Sequence, residues 1–173
     1  MTILPLPVIA TLGDPRGKKF LRRKAKEIIF DNLTRSERRE IIRTMRRVMK
    51  AASGVGLAAN QIGLPYRIFV AEFDNKFYAV LNPRLTQHSI ETETAEEGCL
   101  SVPGKYGVVP RSLQVTLAGY TIEGKPFKIR ARDFLARIFE HEVDHLDGKI
   151  YIDTAKEVYD APRSERLQKK NNE

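Results

Sequence analysis

An α+β domain is expected, with mainly antiparallel sheets packed around a central metal-binding helix. Three observations predict it. Strand-like runs come in pairs joined by short turns, and helical patterns flank those pairs instead of alternating with single strands. A helix near the C-terminal end carries His141-Glu142-Val143-Asp144-His145. The length of 173 residues, with 42% hydrophobic and 30% charged residues, fits one domain over 1–173 with a real core.

The opening stretch Ile3 to Ala10 is apolar but lacks preceding basic residues and contains Pro5 and Pro7, so it reads as an extended edge segment and not a signal peptide. Thr34 and Glu37 form a capping box before Ile41, Ile42, Met45, Val48 and Met49, which predicts a helix from about Arg35 to Ala52 with a basic outer face. Tyr66 to Phe73 and Phe77 to Leu81 read as strands around Asp74-Asn75, with Asn82-Pro83 ending the second. Leu113 to Thr121 and Pro126 to Ala131 read as another hairpin, turning at Glu123-Gly124. Phe134, Leu135, Ile138, Phe139, Val143 and Leu146 then repeat at helical spacing, with Asp133 as N-cap and Gly148 as stop. The polar stretch from about Ala161, with Arg163, Arg166, Lys169 and Lys170, is expected to be a loosely ordered basic tail.

Residues 16–50 hold fourteen Lys or Arg against four acids, within a chain of net charge +8. Such a field suits a polyanion such as RNA, although a solvated helix face is the more usual reason for a charge run. No apolar run approaches the roughly 18 residues of a membrane span. Cys99 is the single cysteine, which excludes an intrachain disulfide and fits a reducing compartment. The location expected is cytoplasmic, or organellar after loss of a transit peptide.

On a helix, residues four apart are separated by about 40° and about 6 Å. His141 and His145 therefore reach one ion, with Glu142 beside the open coordination position. A hydrolytic site of this kind takes three protein ligands. His88 sits in a polar stretch that suits a surface histidine. Cys99 lies in Glu97-Gly98-Cys99-Leu100-Ser101, and is the better third ligand, against the ordinary fate of a small buried hydrophobe. Gly54-Val55-Gly56-Leu57-Ala58-Ala59-Asn60-Gln61 is glycine-rich but lacks a phosphate-loop ending or a preceding strand. Gln61 is a neutral donor able to polarise a carbonyl.

Together the Gly54 to Gln61, Glu97 to Ser101 and His141 to Gly148 stretches resemble, in order and separation, the three signature motifs of the peptide deformylases. Gly13-Asp14-Pro15 and Asn82-Pro83 are similar too, so the likeness covers most of the chain. The resemblance implies a metal-dependent hydrolase that removes the formyl group from the N-terminal formyl-methionine of new polypeptides, with nascent chains as partners. It implies Cys99, His141 and His145 as metal ligands, Glu142 as general acid and base, and the Gln61 side chain and Leu100 N–H as oxyanion donors. It also points to Fe(II), whereas the usual affinity order favours Zn(II) at a site with two nitrogens and one sulfur.

Phe134 and Ile138 precede His141 by seven and three residues, on the face that carries both ligands, and are expected to wall the methionine pocket. The rest of the peptide is expected to bond through backbone near Val55, Gly56, Tyr106 and Gly107, as in strand addition. Asp144 points away from the shared ligand face and is expected to pair with Arg111 behind the metal. Departures from the family pattern include Glu140, Tyr106 and an apparent insertion at Arg16 to Lys19. A zinc peptidase sharing the helix motif, and a non-catalytic ribosome- or RNA-binding module with no membrane contact, are the alternative readings. The peptidase usually takes its third ligand downstream, yet no histidine follows His145.

Overall fold

Thr34 starts the first long helix as its capping box requires. Its hydroxyl accepts the Glu37 N–H at 3.2 Å, and the Glu37 carboxylate accepts the Thr34 N–H at 2.7 Å. Two donors that a helix start leaves open are thereby satisfied. The computed structural model describes residues 7–161. Its helices are α1 (Pro15–Leu21), α2 (Arg35–Ala51) and α3 (Asp133–Leu146). The strands are β1 (Gly56–Ala58), β2 (Ile68–Phe73), β3 (Lys76–His88), β4 (Thr92–Cys99), β5 (Val102–Ser112), β6 (Gln114–Tyr120), β7 (Pro126–Arg132) and β8 (Glu157–Asp160).

The strands pair antiparallel in two sheets, of order β1-β2-β3-β6-β7 and β4-β5-β8. α3 packs on strands of both sheets. One face of α3 buries Ala136, Phe139, Val143 and Leu146 against Phe69, Leu117 and Ala131 of the larger sheet. The Phe139 ring meets Phe69 and Tyr78 at centroid distances of 5.7 and 5.3 Å. Burying side chains of this kind contributes about 1.5–3 kcal/mol each, which fixes the helix that carries the histidines. α2 covers another part of that sheet through Ile42, Met45, Val48 and Met49.

Several expectations need correction. Asn82-Pro83 does not end the second strand: β3 continues to His88 through a register shift at Leu81 and Arg84. Asn82 sits at φ 48°, and its side chain holds Ile28 by accepting the N–H at 2.7 Å and donating to the carbonyl at 3.0 Å. The break in the pattern is thus a bulge tied to a neighbouring loop. The stretch Arg16 to Lys19, read as an insertion, lies within α1, whose start is capped by Asp14 accepting from Arg16 and Gly17. Asp133 is the first residue of α3, with no side-chain cap bond at that end. Gly148, at φ 76°, lies just beyond the helix end, where its close approach to Arg22 excludes a side chain.

Residues 7–10 form no strand; the Ala10 N–H instead donates to the Gln61 carbonyl at 2.7 Å. The remainder of the expected edge segment, 3–6, lies outside the described residues. Ala161, expected to begin a loose tail, is buried and donates its N–H to Gly104 at 2.8 Å. The other tail residues, including Arg163, Arg166, Lys169 and Lys170, lie outside the described range.

Candidate metal and active site

At the end of β4, Glu97 and Cys99 both meet α3, through His141 and His145, on the face that the larger sheet leaves uncovered. There the ligand atoms of Cys99, His141 and His145 lie within 4.8 Å of one another. Cys99 Sγ stands 3.1 Å from His145 Nε2. One soft thiolate and two imidazoles on rigid elements form a donor set suited to a divalent transition metal. Burial alone would raise the Cys99 thiol, but the adjoining His145 and His141 hold it well below its ordinary value. That favours the thiolate, the form that ligates.

His141 is aimed from behind. Its Nδ1 lies 2.9 Å from Glu97 Oε2, an arrangement in which the Nδ1–H donates to the ionised carboxylate and Nε2 is left for an ion. Glu97 is buried and shared. Arg111 approaches it with Nε at 2.8 Å and Nη2 at 3.0 Å, and Arg137 Nη1 approaches at 2.9 Å. Burial would raise the Glu97 carboxyl, but its bonds to His141 and Arg111 bring it down to about 2. Arg111 also contacts Asp144, the pairing the sequence suggested. Arg137, His141 and Asp144 thus clamp one face of α3 to β4 and β5. Sequence reasoning missed Glu97 and Arg137 in this role, although its place two residues before Cys99 pointed to the first and the i, i+4 spacing with His141 to the second.

Glu142 is buried beside the ligands, and burial pushes its carboxyl up to about 7 against the pull of both histidines. Its Oε2 has no hydrogen-bond partner among the described residues. A Cβ on Gly56 would stand 2.2 Å from Glu142 Oε1, so only glycine lets β1 pass this close. Gln61, in the 3-10 turn Ala59–Ile62, is also buried. Its Oε1 accepts the Ala58 N–H at 2.8 Å. Its Nε2 is therefore fixed as a donor facing Ser101 Oγ at 3.1 Å and Cys99 Sγ at 3.7 Å.

These groups face a cavity of about 750 Å³ that also involves Val55, Gly56, Gly98, Leu100, Tyr106, Phe134 and Ile138. Phe134 is 47% exposed and rests on Phe73, whereas Ile138 is 4% exposed; one stands at the mouth and one at depth. The expectation for Tyr106-Gly107 backbone is corrected. Both residues sit in the middle strand β5, paired to β4 on one side and β8 on the other, which leaves no edge for an added strand. Gly107 faces Tyr151, with a would-be Cβ contact of 2.7 Å. The edges bordering the cavity are those of β1 and β4. His88 lies apart, 3.3 Å from both Ser112 Oγ and Glu140 Oε1. Glu140 also accepts the Ser112 N–H at 3.1 Å, so its charge turns away from the cavity.

The family model for polypeptide deformylase matches residues 8–160. A peptide deformylase of Desulforudis audaxviator is 44% identical over 142 residues, covering 80% of this chain and 89% of that protein. Peptide deformylase 1A, chloroplastic/mitochondrial, of Arabidopsis thaliana is 39% identical over 168 residues, covering 86% and 61%. The crystal structure of peptide deformylase from Thermotoga maritima is 34% identical with a TM-score of 0.79, covering 89% of this chain and all of that one. The peptidase and non-catalytic readings are not favoured by any of these. With a Cys-His-His donor set, a glutamate beside it and this likeness over most of its length, the chain belongs to the peptide deformylase family, metal-dependent hydrolases that remove the N-terminal formyl group from nascent polypeptides.

Proposed function

We propose that Cys99, His141 and His145 hold one divalent ion, Fe(II) in the working enzyme and Zn(II) in some preparations, so that α3 is the central metal-binding helix. The observation that carries this reading is the convergence of the three ligand atoms within 4.8 Å beside a buried glutamate. When bound, the ion supplies Lewis acidity, lowering the pKa of water and polarising the formyl carbonyl. Glu142 Oε2 takes a proton from the attacking water and passes it to the departing amine, releasing formate and a free N-terminus. Gln61 Nε2 and the Leu100 N–H donate to the oxygen on which negative charge develops. Glu97 keeps His141 in one tautomer, with Arg111, backed by Asp144, and Arg137 keeping Glu97 ionised.

Ile138 and Phe134 enclose the methionine side chain, and the peptide beyond it extends between the β1 edge at Val55-Gly56 and the β4 edge at Gly98, past Tyr106. Bonding to backbone makes recognition insensitive to sequence after the first residue. The substrate is the nascent chain, and the basic surface gives transient contact with the ribosome. Residues 1–173 act as one catalytic domain, in the cytoplasm or an organelle; among the described residues no helix is long and apolar enough to cross a membrane.

The test is anaerobic purification, metal analysis and a formate-release assay on formyl-methionyl peptide, comparing wild type with Glu142→Ala. Turnover should be lost with metal retained. Full activity in that variant would remove Glu142 from the mechanism.

A further inference from the structure

α2 presents a second feature that the reaction does not use. Arg35, Arg39, Arg43 and Arg47 recur every four residues and are all exposed. Their row spans twelve residue steps, about 18 Å of helix at about 1.5 Å per residue. Arg46 and Lys50 flank it and share Glu72. Arg38 is set apart: it is buried, with bonds to the carbonyls of Ile122, Phe30 and Leu33. The acids near the row do not cancel it. Arg35 meets Glu123 and Arg43 meets Glu40 in exposed pairs, while Arg39 and Arg47 have no acidic partner among the described residues. Exposed pairs of that kind contribute little, so a stronger anion displaces them readily.

We infer that this row is a docking surface for the phosphodiester backbone of double-stranded RNA. Three observations favour that occupant. Within α2, six of the seven basic residues are arginine, whose planar fork matches phosphate oxygens, whereas lysine would serve solubility as well. Of the large apolar residues of the helix, Ile42, Met45, Val48 and Met49 are buried in the core and Ile41 packs against them partly buried, which leaves no exposed large apolar side chain to insert into a lipid surface. A duplex offers about one charge per 1.7 Å of its axis, so an 18 Å row meets a dense line of anions that an acidic protein surface rarely supplies. The placement has a use, resting on the reading that nascent chains are the substrate. From Ala51 the chain runs into Gly54, Val55 and Gly56 at the cavity, and RNA held along α2 keeps the enzyme's entrance near the site of synthesis.

The experiment measures binding of a labelled RNA duplex of about 16 base pairs to the full chain by fluorescence anisotropy across ionic strength. Wild type is compared with Arg39→Gln/Arg47→Gln and with a charge-matched control, Lys128→Gln/Arg130→Gln, on the outer edge strand β7. The first pair should weaken binding at least about fivefold and reduce the slope of log affinity against log salt by about 2, near 0.9 per lost phosphate contact. The control should stay within about twofold, and all three proteins should release formate from a formyl-methionyl tripeptide at equal rates. Equal weakening in both double variants, equal binding to a poly-glutamate chain, or no duplex binding by wild type would overturn the assignment. Absent tripeptide turnover in wild type would instead strike the enzymatic reading, with the duplex titration unaffected.

Discussion

Gly56→Ala isolates how closely the fold positions Glu142, the proposed general base. The new Cβ would lie 2.2 Å from Glu142 Oε1, 2.8 Å from Cδ and 3.1 Å from Cγ. Ordinary contacts need about 3.5 Å, so the carboxylate must retreat by about 1 Å. It is the mobile end of a side chain, whereas Gly56 is held in β1 opposite Ala71, so the glutamate gives way and the strand stays. A misplacement of about 1 Å can cost about 100-fold in rate, or about 2.7 kcal/mol at about 1.36 kcal/mol per decade. Formate release by the metal-loaded variant should therefore fall about 100-fold in kcat, with metal content unchanged because none of the three ligands moves. Gly13→Ala, where nothing lies within 4 Å, serves as the control. In a Glu142→Ala background the obstructing atoms are gone, and adding Gly56→Ala should cost nothing further, a non-additivity expected only if the two act as one unit. A Gly56→Ala enzyme within about threefold of wild type, or an undiminished penalty in the double variant, would refute the argument.

Two further outcomes follow from the same geometry. Arg111→Ala leaves Glu97 and Asp144 without their shared cation; breaking one side of a buried pair costs about 3–5 kcal/mol, and the looser Glu97 should weaken metal affinity about 10–100-fold, both read by thermal unfolding and chelator competition. Unchanged stability and metal retention would dismiss the clamp. Ile138→Phe fills the deep end of the cavity and should lower kcat/KM for formyl-methionyl peptide about 10–200-fold relative to a formyl-alanyl one, whereas an unaltered ratio would place methionine elsewhere.

Much of the site was legible because its chemistry sits on strongly patterned elements. The capping box announced α2, and the four-residue spacing of His141 and His145 announced one face of α3. The smaller sheet was not legible. β4 runs Thr-Glu-Thr-Ala-Glu-Glu-Gly-Cys with mostly exposed positions, since its buried side chain is Glu97, held by charge and not by apolar contact. β5 contains Pro103, Gly104, Gly107 and Pro110, residues that read as turns yet serve a strand packed tightly on Tyr151. Assigning peptide contacts to Tyr106-Gly107 failed for the same reason: sequence did not reveal that β8 returns to occupy that edge. β1 has only three residues, too few for any periodicity.

The two sheet edges that border the cavity set a condition on time as well as on shape. An unpaired strand edge can accept a single extended backbone, but not a segment already bonded into a helix or hairpin of its own. If the peptide lies between Gly56 and Gly98 as proposed, the cavity admits a chain terminus only while its first residues are still without structure. On that proposal deformylation comes before the product's N-terminus folds, and a protein whose first residues fold early should keep its formyl group longer.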